Sequence, residues 1–88
     1  MYKFTIVTDE QSRKYLLRIA EEMVNFFGIT EEEAIGRINR YWDNQEIMGD
    51  DLIYHELPSY WAKTIYSGND LWWLKEKQGE PIKPIPYP

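Results

Sequence analysis

Apolar and polar residues alternate at the start of the chain. Tyr2, Phe4 and Ile6 fall on one side of an extended backbone and Lys3, Thr5 and Val7 on the other, the two-residue period of a half-buried strand over residues 2–7. The period then lengthens. Thr8 and Gln11 stand at capping-box spacing, and Asp9 and Glu10 put negative charge where a helix dipole is positive, so a helix is expected from about Asp9. Its apolar residues, from Tyr15 and Leu16 through Met23 to Phe26 and Phe27, cover an arc of roughly 200°, wider than the usual stripe of about 100°. One neighbour cannot cover such an arc, so this helix is expected at the centre of the domain, touched on two sides, and ended by Gly28.

Thr30 and Glu33 form a second capping box, with Glu31 and Glu32 also loading the dipole. The helix that follows is expected to reach about Asp43. Ala34, Ile35, Ile38, Tyr41 and Trp42 give it a narrow apolar face, suited to an antiparallel hairpin with the first helix. Beyond it the pattern weakens: Gly49-Asp50-Asp51 reads as a turn, and Leu52-Ile53-Tyr54 as a short apolar run within a loop. Pro58 suits the first turn of a third, short helix carrying Tyr60, Trp61, Ala62, Ile65 and Tyr66, which Ser67-Gly68 stops.

Leu71-Trp72-Trp73-Leu74 is too brief for periodicity to decide. Its rings favour a strand that pairs with residues 2–7, whereas Asp70 and the Lys75-Glu76-Lys77 run permit a helical turn. Pro81, Pro84, Pro86 and Pro88 then impose an extended path that cannot join the middle of a sheet. Residues 1–80 are thus expected to form one globular domain and 81–88 a proline-rich extended tail. The expected fold is mainly α with a small β element: a two-helix hairpin, a short third helix and an N-terminal strand paired with a C-terminal one.

Composition narrows the chemistry. With 88 residues there is room for one core. The absence of cysteine removes disulfides and thiol catalysis, and a single histidine leaves no Cys/His zinc motif. Density must come from four Trp, seven Tyr and three Phe, since each ring can bury about 150–250 Å². A net charge of −5 and a pI near 4.8 disfavour nucleic acid. The hairpin has the length of a helix-turn-helix, but its second helix would present Glu31, Glu32 and Glu33 to phosphates, and Arg37 stands where that motif wants an apolar residue. Met1 to Thr8 alternate instead of forming an apolar run, and no stretch is long enough to span a bilayer, so a cytoplasmic protein without a membrane segment is expected.

Asp50, Asp51, His55 and Glu56 hold the densest polar chemistry and could make a small metal-dependent or acid-base site. Their spacing fits neither a two-histidine metalloprotease helix nor an EF-hand, so a turn followed by the start of a helix is the preferred reading, with no catalytic, cofactor or metal residue assigned. Gly36 is odd in a helix interior, where it costs roughly 1 kcal/mol against Ala. It is either tolerated in a well-capped helix, the preferred reading, or approached closely by a partner beside Asn39 and Arg40. Tyr60, Trp61, Trp72 and Trp73 serve first as core, and any left uncovered are the residue types most enriched at binding hot spots. The tail is expected to strap across the tryptophans, since Ile82, Ile85 and Tyr87 give it area to bury; presentation to a partner's groove is the alternative.

The tract from His55 to Tyr66, in which His55, Glu56, Pro58, Tyr60, Trp61, Ala62, Ile65 and Tyr66 recur, resembles one carried by short bacterial proteins of no assigned activity. The resemblance implies a bacterial, cytoplasmic origin and carries no activity with it. The residues favour a non-enzymatic protein-interaction domain. It would bind a protein partner or a second copy of itself through the aromatic residues and the face of Gly36, Asn39 and Arg40.

Overall fold

The computed structural model describes residues 4, 7–43, 46–47, 56–69 and 71–87. These are mainly helical, in the order β1 (Val7–Thr8), α1 (Glu10–Phe27), α2 (Glu31–Tyr41), β2 (Glu46–Ile47), α3 (Pro58–Ser67) and α4 (Trp72–Lys77). Helix α1 begins one residue later than expected, because its cap is Asp9, whose carboxylate accepts from the Ser12 N–H at 2.7 Å. It ends at Gly28, at φ 67°, whose N–H donates to the Val24 carbonyl. Thr30 caps α2 as its spacing predicts, accepting from the Glu33 N–H at 3.1 Å. That helix closes at Tyr41, two residues short of the expected end, with buried Trp42 as its cap.

Ser12, Leu16, Ile19, Ala20 and Met23 form the buried stripe of α1, and Tyr15, Val24 and Phe27 flank it half-buried. The stripe meets both α2 and α3, so α1 is the central element its wide apolar arc calls for. From α2 come Ala34, Ile35 and Ile38, and from α3 Ala62, Ile65 and Tyr66. Phe27 and Tyr66 stack face to face, centroids 3.7 Å apart, and tie the ends of α1 and α3.

The expected β element is not found in the form proposed. Most of 2–7 lies outside the described residues, as does the Leu52-Ile53-Tyr54 run. Among the described residues, strand pairing is confined to two residues each of β1 and β2, parallel, with Val7 opposite Glu46. The intended C-terminal partner is helical. Asn69 starts that turn by accepting the Leu71 N–H on its side-chain oxygen at 2.8 Å. A helix then puts Trp72 and Glu76, four residues and one turn apart, on the one side that faces α3. The Trp72 indole N–H donates to Thr64 Oγ1 at 2.9 Å and Glu76 pairs with Lys63 at 3.0 Å.

After α4 the chain reverses at Gly79, at φ 80°, where the N–H groups of Gly79 and Glu80 satisfy the Glu76 and Lys75 carbonyls. Residues 81–87 then run extended, with Ile82 and Ile85 half-buried. The segment is a strap, as its apolar residues require, but it lies over α2 and the end of α3: the Ile85 N–H donates to the Tyr66 carbonyl at 3.1 Å.

Candidate functional site

Two surfaces gather the residues that sequence reasoning singled out. The first is a line of rings running from α2 across α3 to α4. Trp42 meets Trp61 edge-on at 5.3 Å, Trp61 meets Tyr60 at 5.1 Å, and Tyr60 meets Trp72 at 5.9 Å. Offset and edge-on pairs of this kind are favourable by about 0.5–1.5 kcal/mol beyond their burial. Lys63 lies between two rings, its amine 5.0 Å from the Phe26 centroid and 4.9 Å from that of Trp72, while Glu76 neutralises it. Tyr60, Trp61 and Trp72 are half-buried in this network, so the core role dominates for these three.

Trp73 is different. One residue on along a helix is a rotation of about 100°, which turns it away from α3 and leaves it 44% exposed. Leu71 and Leu74 are also exposed, and α4 buries none of its residues fully. Lys75 and Lys77 follow in its last turn, where positive charge suits the helix dipole. Of the paired tryptophans it is thus Trp73 that is left more open, and it stands on a helix, not on the strand that the rings favour.

The second surface surrounds Gly36. The Tyr87 side chain occupies the place of a β-carbon there: one built on Gly36 would meet the hydroxyl oxygen far inside van der Waals distance and Cζ at 2.6 Å. The close approach weighed for Gly36 is therefore real, and the approaching group is this chain's own. Arg40 donates to the Pro86 carbonyl at 2.8 Å. Asn39, half-buried, lies on the same helix. A partner binding Gly36 and Arg40 would have to displace the strap.

Arg37, which sequence reasoning treated as a misfit, organises this surface. It is 4% exposed. Its Nε donates to Glu33 Oε2 at 2.8 Å, and Nη1 donates to the Ile85 carbonyl at 2.9 Å and more weakly to that of Tyr66 at 3.4 Å. The guanidinium carbon lies 5.0 Å from the Tyr66 ring centroid and 5.4 Å from that of Tyr87. Position 37 is thus a buried position, as a helix-turn-helix would require, but it is filled by a charge with its own set of partners. Nothing local in the sequence signals this, because two of those partners lie 29 and 48 residues away.

Of the possible metal or acid-base group, Asp50, Asp51 and His55 lie outside the described residues. Glu56 is exposed, and its carbonyl accepts from the Tyr15 hydroxyl at 2.5 Å. Among the described residues no three metal-ligating side chains converge, and no helix is long and apolar enough to cross a membrane. An open groove of about 380 Å³ beside Phe26 and Phe27 holds Lys63, Glu76 and Glu80 as its charged groups. No protein-family model, curated protein or solved structure matches the chain.

Proposed function

We propose that this is a non-enzymatic protein-interaction domain whose contact surface is the outer side of α4, with Trp73 as its anchor and the exposed Leu74 next to it in the chain. The observation that carries this reading is the contrast between adjacent tryptophans. Trp72 spends its indole N–H on Thr64 and its ring on Tyr60 and Lys63, whereas Trp73 stands 44% exposed on a short helix. Trp is among the residue types most enriched at binding hot spots. The lysines bordering the patch, on a chain of net charge −5, favour a protein partner that offers an apolar pocket with an acidic rim.

The test is affinity purification from the source cell with the unaltered chain, Trp73→Ala and Leu74→Asp as baits. A specific protein retained by the first and lost with both variants supports the reading. The same proteins recovered with all three baits, or none with any, would sink it.

A further inference from the structure

We infer that the groove between α2 and the end of α3, filled in cis by residues 82–87, is also an interface for a second copy of this chain, which docks its own 82–87 segment there by exchange. Its two notches belong to α2 and to the end of α3, not to α4, and it behaves as a peptide-binding site with its ligand attached. Two glycines shape it. Gly36 receives Tyr87, and Gly68 receives Ile85, whose Cγ2 would lie 2.8 Å from a β-carbon. Residues 85 and 87 thus enter the two notches from one extended segment, and the pair forms a two-pronged plug spaced for them.

Between the prongs the main chain is fixed by polar groups. Arg37 and Arg40 donate to the Ile85 and Pro86 carbonyls, and the Tyr66 carbonyl accepts the Ile85 N–H. Arg40 also stands over the Tyr87 ring at 5.2 Å. Prolines at 81, 84 and 86 hold the segment extended before it docks, which reduces the entropy lost on binding.

The connection permits exchange. Residues 78–81 are exposed, and the reversal that brings the strap back onto its own chain depends on Gly79 in the left-handed region, with nothing within 4 Å of a β-carbon there. If that turn opens, the same notches and the same arginines receive the segment of a second molecule. Every strap contact is then conserved, as in other exchanged dimers. Reciprocal exchange commits to a second copy because the one sequence shown to fit both notches is the chain's own. The cis segment competes at an effective concentration on the order of millimolar, which sets the concentrations at which exchange becomes visible.

The test is light scattering on the full chain between about 10 µM and about 1 mM, with Gly79→Val, Gly36→Ala and the double variant. Valine at position 79 disfavours the left-handed turn without a clash, and exchange relieves both chains, so dimer should form at roughly a hundredfold lower concentration than for the unaltered chain. Adding Gly36→Ala, which removes the seat of Tyr87, should return the protein to monomer. A Gly79→Val chain that stays monomeric throughout overturns the inference, and so does a dimer indifferent to Gly36→Ala. If Gly79→Val does not fold, a labelled synthetic peptide of residues 80–88 is titrated into the full chain carrying Tyr87→Ala. Saturable binding below about 1 mM, abolished by Gly36→Ala, upholds exchange, and no such binding overturns it.

Discussion

Tyr87 rests on Gly36, so close that no other residue type at position 36 leaves the tyrosine where it is. The contact joins the middle of α2 to the far end of the described chain. It explains why α2 tolerates a residue that costs a helix interior roughly 1 kcal/mol.

Gly36→Ala should therefore separate local from global stability. Alanine favours α2 by about 1 kcal/mol while expelling Tyr87, so urea unfolding should change by less than about 1 kcal/mol in either direction. The Ile85 amide, which donates to the Tyr66 carbonyl under the strap, should exchange with solvent about tenfold faster while the α1 amides keep their protection. Unchanged Ile85 exchange would show that Tyr87 does not hold the strap in place.

Arg37 should be among the most sensitive positions of the chain. Arg37→Ala leaves the Ile85 carbonyl without its charged donor and Glu33 without a partner, at a cost of about 2–4 kcal/mol in urea denaturation. That is a large part of the roughly 5–10 kcal/mol available to a domain of this kind. Arg37→Lys should recover less than half, because a single ammonium lacks the planar fork whose separate nitrogens reach the two acceptors. Glu33→Gln keeps an oxygen for Nε and should cost only about 1 kcal/mol.

The same two residues mark where the sequence stops being legible. Thr30, Gly28, Pro58 and Gly68 announce the ends of α1, α2 and α3 because capping is decided within three or four residues. The central place of α1 follows from the width of its apolar arc. Helix α4 is decided by the Thr64 hydroxyl, eight residues upstream of Trp72, and no periodicity in a six-residue segment encodes that. Gly36 is visible as an anomaly, but what fills its notch is 51 positions away in a proline-rich stretch whose docking place no local rule supplies. The binding candidates divide in the same manner: composition identifies the rings, and only packing distinguishes Trp73 from Trp72.

The cap of α1 offers a check on a smaller correction. Because Asp9 accepts the Ser12 N–H, Asp9→Ala should lower stability by about 1 kcal/mol, whereas Asp9→Asn, which keeps the acceptor, should stay within a few tenths. Thermal unfolding of the two variants decides between them. Equal losses would mean that the carboxylate charge near the helix dipole matters more than the hydrogen bond.

The paired tryptophans give the sharpest contrast, since adjacent residues of one type are expected to answer different measurements. Trp72→Phe retains a ring against Tyr60 but strips the donor from Thr64 Oγ1, on a residue only 1% exposed. It should cost about 1–2 kcal/mol in urea unfolding. Trp73→Ala removes a ring with no such bond that is 44% exposed, so stability should move by no more than about 1 kcal/mol. Partner capture should reverse the order: loss of Trp73 weakens binding by about 2 kcal/mol or more, the scale of a hot-spot truncation, and Trp72→Phe leaves it nearly intact. A Trp73→Ala protein that unfolds as Trp72→Phe does would mean that Trp73 is structural. The exposed ground on α4 would then lose its claim to be a contact surface.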